Sequence, residues 1–161
     1  MRRKKVALIG FEIQELTNGR LTEANWVRLK KIKTVSDSSQ EDVDDGDGFL
    51  DGSGDPEQTI TSHRLGYSFS GEFFEGDEAS EIIDGMIGKV GDDRKIGFRV
   101  TDDRDNPTKK REGIATISSP QTRNGGATEF GNIEFTILFD STPDWQNITT
   151  TPAAVQKKKQ D

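Results

Sequence analysis

The chain of 161 residues fits one domain, but its composition is lean: 30% of the residues are hydrophobic, 32% are charged, and the mean hydropathy is −0.76. The absence of cysteine excludes disulfides and thiolate-bound metals and favours a reduced, cytosolic setting. No signal-peptide core and no apolar run long enough to span a bilayer is found.

The formal net charge of −7 combines basic ends with an acidic body. Leaving out the four basic residues among positions 1–5, the three at positions 157–159 and Asp161 leaves 15 basic and 28 acidic residues, a net charge of −13. Because phosphate contacts require Lys and Arg, such a body should repel nucleic acid. Two interpretations of the lean composition stay open. Either a compact core carries long arms, or the chain completes its burial only against copies of itself.

The N-terminal third predicts two strands joined by a tight turn. Residues 5–17 have strand character, and Asn18-Gly19 is a strong hairpin-turn signal because both residue types tolerate positive φ. Spaced apolar residues from Trp26 to Val35 predict a second strand.

The segment 37–57 holds nine carboxylates and no basic residue. Its interleaved glycines predict a long acidic loop rather than a helix or strand. The stretch DVDDGDGFLDGSGD also resembles a calcium-binding EF-hand loop, but Val43 would occupy the first ligand position and Gly54 the last. A solvated acidic loop is therefore the favoured interpretation.

The second half predicts four further strands and a helix. Leu65, Tyr67 and Phe69 alternate with small residues as in a half-buried strand. The helical periodicity of residues 77–91 predicts a core-packing helix, with Asp77 as N-cap and a stop at Gly91. The stretches KIGFRV, REGIATISS and NIEFTILFD predict strands, with a turn at residues 125–126 before the last. The sequence thus predicts a mainly β, antiparallel domain over residues 1–145 and a flexible tail over 146–161.

No catalytic or cofactor site is predicted. His63 is the only histidine, and no nucleophile motif accompanies it. Neither a P-loop nor a strand-linked GxGxxG motif occurs. We therefore expect no enzyme activity, no metal and no cofactor.

The order of these elements resembles the major tail proteins that build the tail tubes of long-tailed, siphovirus-type bacteriophages. The likeness covers residues 61–145 and rests on the strand-to-helix step GYSFSGEFFEGDEASEIIDGMIGKVG and on the closing stretch IATISSPQTRNGGATEFGNIEFTILFDSTP. It implies an antiparallel β-sandwich or barrel-like fold with one flanking α-helix, a long acidic loop and flexible termini.

The resemblance also implies a function. Subunits of this family close into six-membered rings, which stack into a hollow tube whose acidic bore lets DNA pass without specific binding. Implied partners are other copies of the chain, a tape-measure protein and a tail terminator; the implied location is the virion tail, after assembly in the host bacterial cytoplasm. The channel-facing candidate is Glu134. Ring-stacking candidates in the acidic loop are Asp42, Asp44, Asp45, Asp47, Asp51 and Asp55.

Two basic clusters are candidate contacts for the acidic loop on an adjacent ring: residues 30–33, with three lysines, and residues 109–111. The alternative function is a β-sandwich binding module for carbohydrate or calcium on a virion or cell surface.

Overall fold

The described part of the chain folds mainly into antiparallel β-structure, with one α-helix packed against the large sheet. The computed structural model describes residues 1–46, 48, 50 and 54–148. Short 3-10 helices span Val6–Leu8 and Gly91–Arg94. The other elements of these ranges are, in chain order, β1 (Gly10–Glu15), β2 (Val27–Arg28), β3 (Ile32–Asp37), β4 (Gln40–Asp45), β5 (Gln58–Arg64), β6 (Gly66–Glu72), α1 (Glu78–Gly85), β7 (Lys95–Thr101), β8 (Lys109–Asn124), β9 (Asn132–Phe139) and β10 (Gln146–Asn147).

The strands form one large curled sheet and one small sheet. The large sheet has the order β2-β1-β7-β8-β9-β6-β3, with β10 added to the start of β8, and β4 pairs with β5 in the small sheet. The large sheet curls into a half-barrel, so that Phe11 of β1 meets Tyr67 of β6 with ring centroids 5.4 Å apart. The predicted mainly β, barrel-like fold with one helix is confirmed.

Strand alternation places the core on the concave face of the half-barrel. The buried side chains of β9 are the four predicted from its alternation, Ile133, Phe135, Ile137 and Phe139. Residues from β1, β6, β7 and β8 complete the apolar cluster, and Ala79, Ile83 and Met86 of the helical segment close it.

The helix begins as predicted but ends early. The Asp77 carboxylate accepts a hydrogen bond from the Ser80 N–H at 3.1 Å, which confirms the N-cap. The predicted end at Gly91 is wrong, since α1 stops at Gly85. Two glycines explain the difference: Gly85 weakens the helix, and Gly88 has a φ of +84° that no helix continues.

The predicted turn at Asn18-Gly19 is confirmed. Both residues have positive φ, +51° and +71°, and Thr17 and Arg20 exchange two backbone hydrogen bonds at 3.1 Å. The strand before the turn is shorter than predicted, because residues 6–8 form a 3-10 helix.

The predicted second strand, from Trp26 to Val35, is two strands in the structure. Lys31 has a φ of +60°, which breaks the extended backbone between β2 and β3. The break sends β2 to one edge of the large sheet and β3 to the other.

The prediction of a loop throughout residues 37–57 is wrong for residues 40–45. These residues form β4, which pairs with β5 from Gln40 opposite Arg64 to Asp45 opposite Gln58. The acidic residues have weak strand propensity, but they continue a strand pair that already exists between β3 and β6.

The last described strand, β10, pairs with β8. Gln146 and Asn147, which the sequence assigns to the tail, pair with Lys110 and Lys109. Among the described residues, no helix has the length and apolar character needed to cross a membrane.

Candidate functional site

A two-stranded projection extends from one end of the large sheet. Pairing of β3 with β6 ends at Asp37, and the Ser38 N–H then donates to the Gly66 carbonyl at 2.9 Å. The pairing of β4 with β5 follows directly. We call β4 and β5 (residues 40–45 and 58–64) the acidic hairpin. Every residue of both strands is exposed.

The junction between the sheet and the hairpin is held by a side chain. Asp37 accepts a hydrogen bond from the Ser39 N–H at 2.8 Å. This backbone hydrogen bond lowers the pKa of the Asp37 carboxyl below its ordinary value. The charged carboxylate therefore favours the local turn from which the hairpin starts.

The predicted stacking residues divide between the hairpin and its surroundings. Asp42, Asp44 and Asp45 lie on β4, and Asp55 lies exposed before β5. Asp47 and Asp51 lie outside the described residues.

Two of the hairpin carboxylates have partners within the hairpin. The Ser62 hydroxyl donates to Asp42 at 2.6 Å, and His63 Nδ1 lies 3.1 Å from Glu41 Oε1. Asp44 and Asp45 form no ion pair with any described residue. The hairpin thus presents concentrated negative charge to solvent.

An apolar pair interrupts this charge. Val43 and Ile60 lie opposite each other on the two strands, and their side chains are 50% and 60% exposed. Isolated exposed aliphatic residues are common. Two of them paired across a free-standing hairpin form a small apolar patch between carboxylates.

Glu134 lies on the convex side of the large sheet. It is exposed and stands opposite Ser70 on β6 and Gln121 on β8. It lies on the side of β9 opposite the buried residues of that strand. Its assignment to a channel stays a prediction. Its neighbours on this side are mostly hydroxyl side chains. We call this surface the polar face; it consists of Thr34, Ser36, Ser68, Ser70, Glu134 and Thr136.

A hydroxyl hydrogen bond links β6 and β9 across the polar face, and two ion pairs border it. Ser68 and Thr136 share a hydrogen bond of 2.9 Å between their hydroxyls. Lys33 pairs with Glu72 at 2.7 Å, and Lys95 pairs with Asp140. These two bordering lysines are therefore neutralised by carboxylates.

The turn between β7 and β8 is organised by Asp102. Burial alone would raise the pKa of this carboxyl, but hydrogen bonds from the Thr108 hydroxyl and from the N–H groups of Lys109 and Thr108, together with the charge of Lys4, lower the pKa to about 2. Asp102 therefore stays ionised and closes the turn.

The described residues bring together no metal-binding group. No three side chains of His, Asp or Glu among them lie close enough to hold an ion. Asp47 and Asp51, which the calcium interpretation needs, are outside the described part of the chain.

No protein-family model and no curated protein matches the sequence. Solved structures do match, over 91% of the chain. The SPP1 tail tube superimposes with a TM-score of 0.61 at 12% identity and is covered over 79% of its chain. The tail of an empty gene transfer agent particle, determined with C6 symmetry, gives 0.60 at 14% identity over its whole chain. A chain of the PVC sheath–tube complex, an extracellular contractile injection system, gives 0.56 at 14% identity over 93% of that chain.

These matches define the class of the fold. It is the fold found in the tail tubes of phages, of gene transfer agents and of contractile injection systems. The resemblance to tail-tube proteins inferred from the sequence is confirmed at the level of the fold.

Proposed function

We propose that this chain is the structural subunit of a tail tube, of the kind found in siphovirus-type phages, and that it has no catalytic activity. Copies close into six-membered rings, and the rings stack into a hollow conduit for DNA ejection. Support comes from the shared fold with the SPP1 tail tube and with the gene transfer agent tail, whose structure was determined with C6 symmetry.

The acidic hairpin is the observation that carries this proposal. A two-stranded sheet is marginally stable in water, and strand edges left without partners readily pair with another chain. Within the described residues, β4 and β5 pair only with each other, and all of their residues are exposed. A second copy that covers the hairpin gives this exposed element a function.

We assign ring stacking to the hairpin and the segment that it encloses. The assembly residues are Asp42, Asp44, Asp45, Asp47, Asp51 and Asp55. Mutual repulsion among these carboxylates opposes association of the acidic hairpins of different copies, and cations on a neighbouring ring offset that repulsion on assembly.

The polar face is assigned to the wall of the channel, with Glu134 as its charged member. A wall of hydroxyls and carboxylates offers DNA phosphates no cation to hold. The Debye length at cellular salt is about 8 Å, so wall charge acts only when DNA approaches the surface. DNA therefore passes without specific binding.

The remaining partners follow from the proposed role. A tape-measure protein occupies the growing tube and sets its length, and a terminator caps the tube. The subunit assembles in the host bacterial cytoplasm and functions in the virion tail, without membrane insertion and without a cofactor.

Electron microscopy of the purified protein tests the proposal. Incubation at increasing concentration should produce hollow tubes whose top views have six-fold symmetry. A matched control replaces residues 40–64 by an Asn-Gly turn between Ser39 and Leu65; it should fold and remain unpolymerised. A wild-type chain that stays monomeric at every concentration and salt condition, and in the presence of preformed tubes, contradicts the proposal.

A further inference from the structure

An open groove lies between the two edges of the half-barrel. Its volume is about 660 Å³, and it runs between β1–β2 on one side and the start of β3 on the other. Its floor is apolar and includes Ile9, Phe11, Ile32, Val35 and Phe69. Its rim is basic. None of the described residues that line it is acidic. The five cationic residues that line it are Arg28, Lys30, Lys31, Lys33 and Arg104.

Three of these five cations have no carboxylate partner in the described part of the chain. Lys33 pairs with Glu72, and Arg104 lies 3.4 Å from Asp105. The other three are Arg28, which donates to the carbonyl of Arg104 at 2.8 Å; Lys31, whose Nζ lies 5.1 Å from the Phe74 ring centroid; and Lys30. The rim therefore carries positive charge that is not compensated locally.

The second basic cluster, residues 109–111, is already engaged. Lys110 pairs with Glu112 at 2.8 Å. Lys109 and Arg111 both lie over the ring of Trp145, at 5.1 and 4.9 Å from its centroid. These contacts leave the cluster less available to a new anionic partner than the groove.

The acidic hairpin matches the groove in both charge and polarity. The carboxylates of β4 are Glu41, Asp42, Asp44 and Asp45. Val43 lies between these two pairs, opposite the exposed Ile60. An apolar patch flanked by carboxylates complements an apolar floor flanked by cations.

The chain cannot place its own hairpin in its own groove without breaking the sheet. Four of the five rim cations, all but Arg104, directly precede or begin β3. The hairpin instead continues the β3–β6 pair beyond Asp37, at the opposite end of β3. The six residues of β3 place the start of the hairpin about 20 Å from these cations, at about 3.3 Å per residue. The occupant must come from a second copy. A contact between different surfaces of two copies is head-to-tail; it closes into a ring or repeats as an open stack. The stack is the arrangement that the proposed ring stacking requires.

We infer that the groove is the receptor for the acidic hairpin of a neighbouring copy. Val43 and Ile60 cover the apolar floor. Glu41 and Asp45, which lie on the same side of β4 as Val43, approach the rim cations Arg28, Lys30 and Lys31. This inference rests on the proposed tube function and names the surface that the hairpin contacts.

Cysteine cross-linking tests the contact, because the chain contains no cysteine of its own. Gln58→Cys places a thiol opposite Asp45, on the same side of the hairpin as Ile60, and Ala7→Cys places one at the groove; neither change alters a charge. When the two variants are mixed, assembled and oxidised, they should form disulfide-linked dimers. The control pair is Gln58→Cys with Asn147→Cys, whose partner in the strand register is Lys109 of the alternative cluster. It should remain uncross-linked.

Charge reversal provides a second test. Lys30→Glu with Lys31→Glu should raise the concentration needed for polymerisation at least tenfold. Adding Glu41→Lys and Asp45→Lys to the same chain should restore assembly, a rescue that a purely structural role for the lysines would not give. Equal denaturation midpoints for the variants show that folding is intact.

The outcomes separate the two proposals. Tubes that cross-link through Asn147→Cys rather than Ala7→Cys, or that form normally after reversal of the groove lysines, overturn the inference and leave the tube function standing. Failure of the wild-type chain to form any polymer overturns the tube function, and the inference falls with it.

Discussion

Phe11 and Phe69 pack edge to face, with ring centroids 5.2 Å apart, although β1 and β6 are separated by three other strands in the sheet order. The contact exists because the sheet curls far enough for its two sides to meet. Phe98 and Phe135 extend this cluster, stacking or packing edge to face with the first pair. Closure of the half-barrel therefore depends on a small set of aromatic rings.

Replacing Phe69 by alanine should destabilise the fold strongly. The side chain is 2% exposed and contacts rings from β1, β7 and β9. Loss of a buried Phe side chain costs about 3–5 kcal/mol in free energy of unfolding. Urea denaturation monitored by circular dichroism measures the change. The matched control is Phe130→Ala, at a side chain that is 84% exposed and should change stability by less than about 0.5 kcal/mol. Equal losses for the two variants would contradict the assigned core.

The polar side chain of Gln14 should stabilise the loop that follows β1. Its side chain is fully buried, donates to the Thr22 carbonyl at 2.9 Å and accepts from the Thr22 N–H at 2.8 Å. Gln14→Leu leaves both backbone groups unpaired, at a cost of about 1–3 kcal/mol. Hydrogen exchange should increase selectively in residues 16–26. Glu15→Leu, at the adjacent exposed position, is the control. Unchanged exchange in the Gln14 variant would show that the loop does not depend on this amide.

The pKa of Asp102 predicts a contribution to acid stability with a definite sign. The folded-state pKa is about 2, below the ordinary value of 3.8, so the folded state binds a proton less readily than the unfolded state. The contribution is complete above about pH 4 and is lost as the pH falls towards 2.

Denaturation midpoints measured between pH 2 and 5 test this sign. The wild-type chain should lose stability over this range more steeply than Asp102→Asn, which has no charge to lose. Asp93→Asn, at an exposed position, removes the same charge and should keep the wild-type slope. Identical slopes for the wild-type chain and Asp102→Asn would refute the role of Asp102 in the turn.

Local sequence signals predicted most of the strands but not their order in the sheet. The alternation of β9, the Asp77 cap and the Asn18-Gly19 turn each depend on neighbouring residues, and each is confirmed. The sequence could not show that β2 and β3 reach opposite edges of the sheet, since this depends on the positive φ of a single lysine, Lys31.

The surface residues show the same limit. The exposed position of Glu134 follows from the alternation of β9, in which every second residue is apolar and buried. The groove could not be predicted, because Arg28 and Arg104 lie 76 positions apart and meet only through the pairing of β1 with β2 and β7. The strand β4 was not predicted, for a related reason. Its acidic residues pair with β5 because the pairing of β3 with β6 already holds these two segments of the chain side by side.

Neutralising the hairpin should weaken assembly and reduce its sensitivity to salt. Asp44→Asn with Asp45→Asn removes two charges that form no ion pair among the described residues, and the attraction to a basic partner falls with them. We expect a several-fold higher critical concentration at 0.1 M salt and a flatter dependence on salt, because less charge remains to be screened. Sedimentation of polymer measures both. Asp92→Asn with Asp93→Asn removes the same charge elsewhere and should behave as wild type. Parallel salt curves for the two double variants would exclude an electrostatic role of the hairpin.

The assignment of Glu134 to the channel wall can be tested by labelling the cysteine-free chain at a single introduced thiol. Glu134→Cys should react with a small maleimide in the free subunit and in tubes, but with a polyethylene-glycol maleimide only in the free subunit, because a narrow bore excludes the polymer. Glu78→Cys is the matched control. Glu78 is exposed on α1, which packs on the concave side of the sheet, whereas Glu134 lies on the convex side. The control should react with both reagents in tubes. Rapid reaction of Glu134→Cys tubes with the polymer would place this face outside the channel.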